Sequence, residues 1–288
     1  MKFYTSVFAR GDKVYMRGFD KGIRIKDVVK YKPYLFISKQ NGKYKTLDGK
    51  SVEKMPFDSI SDAKDFIERY SDVANMDIYG LTAFPYVYIF DTFKGDIDYD
   101  PNQVRIGTLD IECAADDGFP DIQKADKEIT AITIRENGIS YVLGCGNFKT
   151  DDPNIKYLKC KDEYTLLSNF LKLWEFPSIR PDVITGWNIE FFDIPYLFNR
   201  IKFIMGEAEA YRLSPWGLIY EKTVEFKGKT NQTYEILGIS TLDYYQLYRK
   251  FTFGNQESYK LDYIAQIELG ERKVDYSEYG SLLELYKN

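Results

Sequence analysis

The sequence predicts a mixed α/β fold, with a mixed sheet flanked by helices and a smaller, strand-rich α+β region in front of it. Three observations carry this expectation. Short apolar and alternating runs fill the first hundred residues and return between positions 104 and 143. After that, segments of helical period interleave with another strand-like run, the signature of helices packed on a sheet. Between the two rhythms, residues 96–101 are acidic and polar and end in Pro101, as at a boundary. Two domains are therefore expected, 1–102 and 103–288.

The elements follow in order. Residues 3–19 alternate across Gly11-Asp12, a hairpin signal. A short apolar strand is expected at 34–38, after Pro33. Ser61 is placed as the N-cap of a helix carrying Ala63, Phe66 and Ile67. Residues 86–90 read as a strand. In the second region 104–112 is a strand, with hairpin neighbours at 128–135 and 140–143. Asp162 can cap a helix whose one face carries Leu166, Leu167, Phe170, Leu171 and Trp174. A strand at 182–188 leads to a helix at 194–205, which Pro195 can start. Residues 223–226 and 234–237 flank a polar turn at 227–232. Helices are expected at 242–251 and 259–269.

Composition removes whole classes of chemistry. The chain contains no histidine. Triads built on histidine, His-ligated zinc and His general bases are thereby excluded, which leaves carboxylates, tyrosine, lysine or bound metal. The net charge of −5 argues against a purely architectural nucleic-acid clamp, yet suits a site that must hold divalent cations. Cys113, Cys145 and Cys160 show no metal or redox spacing and fit a reducing compartment. No apolar run approaches the roughly 20 residues of a membrane span, and Met-Lys-Phe-Tyr at the start has no signal-peptide pattern. The many tyrosines and phenylalanines are, taken singly, core and hairpin packing.

Two segments concentrate carboxylates. Asp110-Ile111-Glu112 closes the strand at 104–112. Positions i and i+2 of a strand face the same way, so the two acids project together from a sheet whose other positions, Ile106, Leu109 and Ile111, are apolar. Like charges held so close repel and call for a cation. Alone, such a pair also describes a solvated strand end. The second segment is Thr185-Gly186-Trp187-Asn188-Ile189-Glu190-Phe191-Phe192-Asp193-Ile194-Pro195-Tyr196. Alone, its aspartate could simply cap a helix, with Phe192, Tyr196 and Trp187 in the core.

In this order, Asp110/Glu112 and Asn-x-x-x-Phe-Asp resemble the first two exonuclease motifs of B-family DNA polymerases. Asp116-Asp117-Gly118-Phe119-Pro120 after the first motif, Tyr211-Arg212-Leu213-Ser214-Pro215 after the second, Leu242-Asp243-Tyr244, and Ser258-Tyr259-Lys260-Leu261-Asp262-Tyr263 extend the resemblance to the polymerases of T-even-like bacteriophages. The resemblance implies a ribonuclease H-like fold and a 3′–5′ exonuclease with two divalent metal ions, Mg2+ or Mn2+. It assigns Asp110, Glu112 and Asp193 as metal ligands, with Asp110 shared between the two ions. It also implies DNA contacts for Phe119, Asn188 and Lys273, and a strand-separating role for the 227–232 hairpin. The implied partners are single-stranded or primer–template DNA, the C-terminal portion of the polymerase and, through it, a sliding clamp. The implied location is the cytoplasm of a bacterial host.

One part of the family pattern is missing. Its third motif, Tyr-x-x-x-Asp, supplies a fourth carboxylate and is expected beyond Lys273. Tyr44 and Asp48 alone have that spacing, in the wrong region and beside an Asp-Gly turn. Polymerisation motifs are absent as well. The expectation is therefore an exonuclease portion that is weak or inactive by itself. The alternative is a non-catalytic nucleic-acid-binding or assembly subunit of a split polymerase.

Overall fold

The computed structural model describes residues 2–74, 76–114, 118–226 and 228–273. The chain forms two compact units, Met1–Gln103 and Val104–Asn288.

In the first unit, β1 (Lys2–Arg10), β2 (Lys13–Asp20) and β3 (Ile23–Lys30) form an antiparallel sheet in chain order. The predicted hairpin is its first half, and Gly11 supplies the positive φ (+55°) at its turn. The third strand is additional to the sequence reading. A second antiparallel sheet joins β4 (Tyr34–Ser38), β5 (Tyr44–Lys45), β6 (Ser51–Pro56) and β7 (Ile78–Tyr79) in the order β5-β6-β4-β7. Helix α1 (Ile60–Tyr70) is capped by Ser59 rather than Ser61, its hydroxyl accepting the Asp62 N–H at 3.0 Å.

One element changes type. Residues 86–90, read as a strand, belong to α2 (Phe84–Thr92). Pro85 sits in the first turn, where its missing N–H costs nothing. Phe84, Val87 and Tyr88, at i, i+3 and i+4, are the buried face. A short apolar run fits either period until its partners are known.

The second unit is built on a six-stranded mixed sheet. Its strands are β8 (Ile106–Cys113), β9 (Ile129–Glu136), β10 (Ile139–Gly144), β11 (Ile155–Lys159), β12 (Val183–Gly186) and a later β15 (Ser240–Asp243), in the order β11-β10-β9-β8-β12-β15. β8–β9–β10 is an antiparallel meander, and β11, β12 and β15 add in parallel to their neighbours. Helix α3 (Glu163–Glu175) is capped by Asp162, which accepts the Thr165 N–H at 2.8 Å. Its buried face carries the five predicted apolar residues. Helix α4 (Asp193–Met205) follows β12, and α5 (Glu207–Ala210) is a single turn after it. β13 (Ile219–Phe226) and β14 (Lys229–Ile236) form a separate hairpin. Phe226 pairs with Lys229, so the turn is two residues rather than the six predicted. Lys227 lies outside the described residues. The helix predicted at 242–251 is in fact β15 followed by α6 (Tyr244–Phe251), and α7 is Leu261–Leu269.

The core of this unit packs Leu109, Ile111, Ile132 and Ile134 of the sheet against Leu166, Phe170 and Trp174 of α3 and Leu197 and Ile201 of α4. Along β8 the burial alternates, with Gly107, Leu109 and Ile111 buried and Ile106, Thr108 and Asp110 exposed. This alternation is what places the acids away from the core. Among the described residues, no helix is long and apolar enough to cross a membrane.

Candidate active site

Asp110 and Glu112 lie inside β8, two residues apart. β12 pairs with β8 only as far as Thr185 opposite Thr108. Beyond that point the Ile111 N–H has no strand partner, and Asp193 Oδ1 accepts it at 3.0 Å. Asp193 is the first residue of α4 and only 5% exposed. The three acids thus meet at one place on the sheet, two from the same strand and one docked onto the backbone between them.

Their protonation behaviour reports crowded negative charge. Burial and then the Asp110 charge push Asp193 up to about 7, against the opposing N–H bond from Ile111. Burial and then Asp110 likewise raise Glu112 above the usual carboxylate range. Asp110 is exposed by surface area, yet desolvation by the protein around it raises it too, and the Lys273 charge pulls the other way. A cation set among the three would reverse each of these shifts, and hard oxygen donors suit Mg2+ or Mn2+. Among the described residues no group of three or more Cys, Asp or Glu side chains is arranged to hold a metal ion as it stands. Cys113, next in the strand, is pushed up to about 12 by burial and then by Asp193 and Glu112. It is a thiol at neutral pH and not a nucleophile.

The turn from β12 to α4 is unusually constrained. A Cβ on Gly186 would come within 2.3 Å of Ile189 Cγ2 and 2.6 Å of Leu109 O, so the chain crosses β8 only without one. Asn188 adopts φ +67°, a conformation that asparagine tolerates better than most residues. Its carbonyl accepts the N–H groups of Phe191 and Phe192, which leads directly into α4. Asp243, at the end of β15, accepts the N–H groups of Asn188 at 2.9 Å and Glu190 at 3.0 Å.

Helix α4 also grips the loop that follows β8. Tyr196 Oη donates to Lys127 O at 2.6 Å, Asn199 Nδ2 to Ile122 O at 2.8 Å, and Arg200 Nη1 to Ala125 O at 2.8 Å. Arg200 is itself held in a buried two-pronged pair with Glu163 of α3, at 2.7 and 2.6 Å. Glu163 Oε1 accepts the Ile129 N–H as well. The same loop carries Phe119, 80% exposed, whose ring lies 5.2 Å from that of Phe192. Phe192 in turn stacks on Tyr196. Phe119 is therefore not a core residue. Asp116 and Asp117 lie outside the described residues.

Asn188 and Lys273 border one cavity of about 770 Å3, whose walls include Trp187, Tyr245, Tyr259 and Asp262. The Lys273 N–H donates to Asp262 Oδ1 at 2.7 Å. Trp187 is half-buried, its ring 5.7 Å from Tyr245 and 5.9 Å from Tyr248. Asp48 belongs to a turn of the first unit, where it accepts from Thr46 Oγ1. The sequence reading gave Asp243 no role beyond its place in the family resemblance, and it missed Glu163 and Arg200. An aspartate just before a helical run is a cap signal, but nothing local shows that Asp243 serves a turn 53 residues earlier.

Comparison with known proteins agrees with this architecture. Residues 87–264 match the family described as DNA polymerase family B, exonuclease domain, and the chain belongs to that family. It is 34% identical to the DNA-directed DNA polymerase of Escherichia phage RB69 over 96% of this chain and 34% of that protein. With the DNA-directed DNA polymerase of Enterobacteria phage T4 the identity is 33%, over 96% of this chain and 33% of that protein. The DNA polymerase catalytic subunit of Alcelaphine herpesvirus 1 is 28% identical over 65% of this chain and 19% of its own length. The chain thus spans about a third of the phage relatives it matches.

Proposed function

We propose that this chain is the proofreading portion of a replicative DNA polymerase, a 3′–5′ exonuclease acting on single-stranded or frayed 3′ DNA ends. The observation that carries the reading is the convergence of Asp110, Glu112 and Asp193, with Asp193 docked on the Ile111 N–H and all three carboxyls raised despite the Lys273 charge beside Asp110 and Glu112. In this reading residues 103–288 have a ribonuclease H-like fold and residues 1–102 form the polymerase's N-terminal domain. Asp110, Glu112 and Asp193 would hold two divalent ions, Mg2+ or Mn2+. When bound, such ions supply an activated water and neutralise charge on the attacking and leaving oxygens. The chain's own residues place the DNA. Phe119 offers an exposed ring for a terminal base, Asn188 a polar edge for the last nucleotide, and Lys273 a positive charge beside the acids. Single-stranded or primer–template DNA is the substrate, the rest of the polymerase the partner, with a sliding clamp reached through it, and the host cytoplasm the setting.

The test is degradation of a 3′-labelled oligonucleotide with Mg2+ or Mn2+, by this chain alone and together with the remaining polymerase sequence. Asp110→Ala combined with Glu112→Ala should abolish cutting, by several orders of magnitude. Cutting that survives the double substitution sinks the mechanism. Tight strand binding without cutting, in both preparations, would favour a non-catalytic assembly role.

A further inference from the structure

We infer that Asp243 is a positioning residue for this reaction: through backbone hydrogen bonds it fixes the 188–192 turn, and with it the placement of Asn188 and Asp193. The inference rests on the exonuclease reading above. Asp243 is 4% exposed. Among the described residues its carboxylate bonds are all to backbone N–H groups. Oδ1 accepts Asn188 at 2.9 Å and Tyr245 at 3.0 Å, and Oδ2 accepts Glu190 at 3.0 Å. One aspartate therefore does two separable jobs. Toward Tyr245 it caps α6. Toward Asn188 and Glu190 it reaches across the β12–β15 pair, where Gly186 lies opposite Asp243.

The second job bears on the site. Asn188 holds a left-handed φ of +67°, a region in which local hydrogen bonds must support a side-chain-bearing residue, even asparagine. Its N–H is the group Asp243 takes. From there the bonds run without a gap: Asn188 O accepts Phe191 and Phe192, Ile189 O accepts Ile194 at 3.0 Å, and Asp193 reaches the Ile111 N–H. Glu190 is held from three sides, its N–H by Asp243, its carbonyl by Thr233 Oγ1 of the hairpin at 2.9 Å, and its carboxylate by Gln246 Nε2. The end of β15 is thus tied to the start of α4 through the Asp243 carboxylate and the backbone of residues 188–194.

The experiment uses the full chain with two substitutions. Asp243→Asn keeps the shape but replaces one acceptor oxygen with a donor. Asp243→Ser retains a one-oxygen cap for α6 and is too short to serve the Asn188 and Glu190 amides, so it separates capping from turn-holding. Hydrogen exchange is read at the amides of residues 188–192. Oligonucleotide cleavage is read across a range of Mn2+ concentrations. We expect exchange at Asn188 and Glu190 to rise about tenfold or more, with core amides such as Leu197 unchanged. The Mn2+ concentration for half-maximal cleavage should rise in parallel, and high Mn2+ should recover part of the rate. A loss of folded protein would instead speed exchange at core amides such as Leu197 as well. Unchanged exchange at 188 and 190, or faster exchange with an unchanged Mn2+ dependence, overturns the inference. An unsubstituted chain that does not cut at any Mn2+ concentration, alone or with the remaining polymerase sequence, counts against the exonuclease reading instead, and the exchange data still report on the turn.

Discussion

Replacing Asp193 with asparagine should stabilise the metal-free protein at pH 8 and leave it nearly unchanged at pH 4. Burial and the Asp110 charge push the folded carboxyl up to about 7 from an ordinary 3.8. At about 1.36 kcal/mol per unit, ionising Asp193 in the folded state costs up to about 4 kcal/mol. A carboxyl that holds its proton more tightly folded than unfolded favours folding while protonated. That contribution is complete below 3.8 and is lost as pH rises through 7. The groups that set it are the burial of the site, Asp110 on β8 and Asp243 on β15, against the Ile111 N–H. Asparagine keeps an oxygen for Ile111 and removes the charge. Relaxation and coupling to Asp110 will reduce the figure, so a gain of about 1–4 kcal/mol at pH 8 is expected. Urea unfolding in a chelator, followed by tryptophan emission, measures it, because Trp174, Trp187 and Trp216 all lie in the second unit. In the proposed function, millimolar Mn2+ should reverse the order, since the ion would stabilise the parent chain alone. Equal destabilisation by the substitution at pH 4 and pH 8 would refute the charge-crowding argument.

Other substitutions test other parts of the site. Arg200→Met strands Glu163 in the interior without its partner and frees Ala125 O. It should cost about 3–5 kcal/mol, a fall of about 6–20 °C in the second unit's melting temperature, and adding Glu163→Gln should recover part of it. Phe119→Ala removes an exposed ring, so stability should stay within about 0.5 kcal/mol by urea unfolding. In the proposed function, single-strand affinity measured by anisotropy should nevertheless fall by about 1–3 kcal/mol. Gly186→Ala drives a methyl against Leu109 O and Ile189, and calorimetric melting should show a loss of about 1–3 kcal/mol or more.

Much of this could be read from sequence because the decisive features are local. Alternation along β8 separates Leu109 and Ile111 from Asp110, and the α3 stripe from Leu166 to Trp174 needs only the helical period. The errors fall where local pattern is ambiguous or the partner is distant. Phe84–Thr92 has an apolar run compatible with either period, and only the packing of Phe84, Val87 and Tyr88 settles it. β15 is four residues long and exists because β12 offers it an edge. The Arg200–Glu163 pair joins residues 37 apart in sequence and has no spacing signature.

The two buried aspartates of this site show why residue type and burial alone do not assign a role. Asp193 and Asp243 are almost equally inaccessible. Asp193 Oδ1 accepts the Ile111 N–H and the side chain faces the Asp110 charge, so its ionised form is poorly compensated and calls for a proton or a cation. Asp243 is also raised by burial, but N–H groups from Asn188, Glu190, Tyr245 and Gln246 oppose that rise. Several backbone donors solvate a carboxylate much as water would, and they leave no lone pair seeking a metal. The first arrangement suits an acid that works on a ligand. The second suits an acid that works on the fold. Both lie at the turn around Asn188, one holding it from β15 and the other carried out of it on α4, so in the proposed function the geometry of the reacting acids depends on an acid that need never touch the substrate.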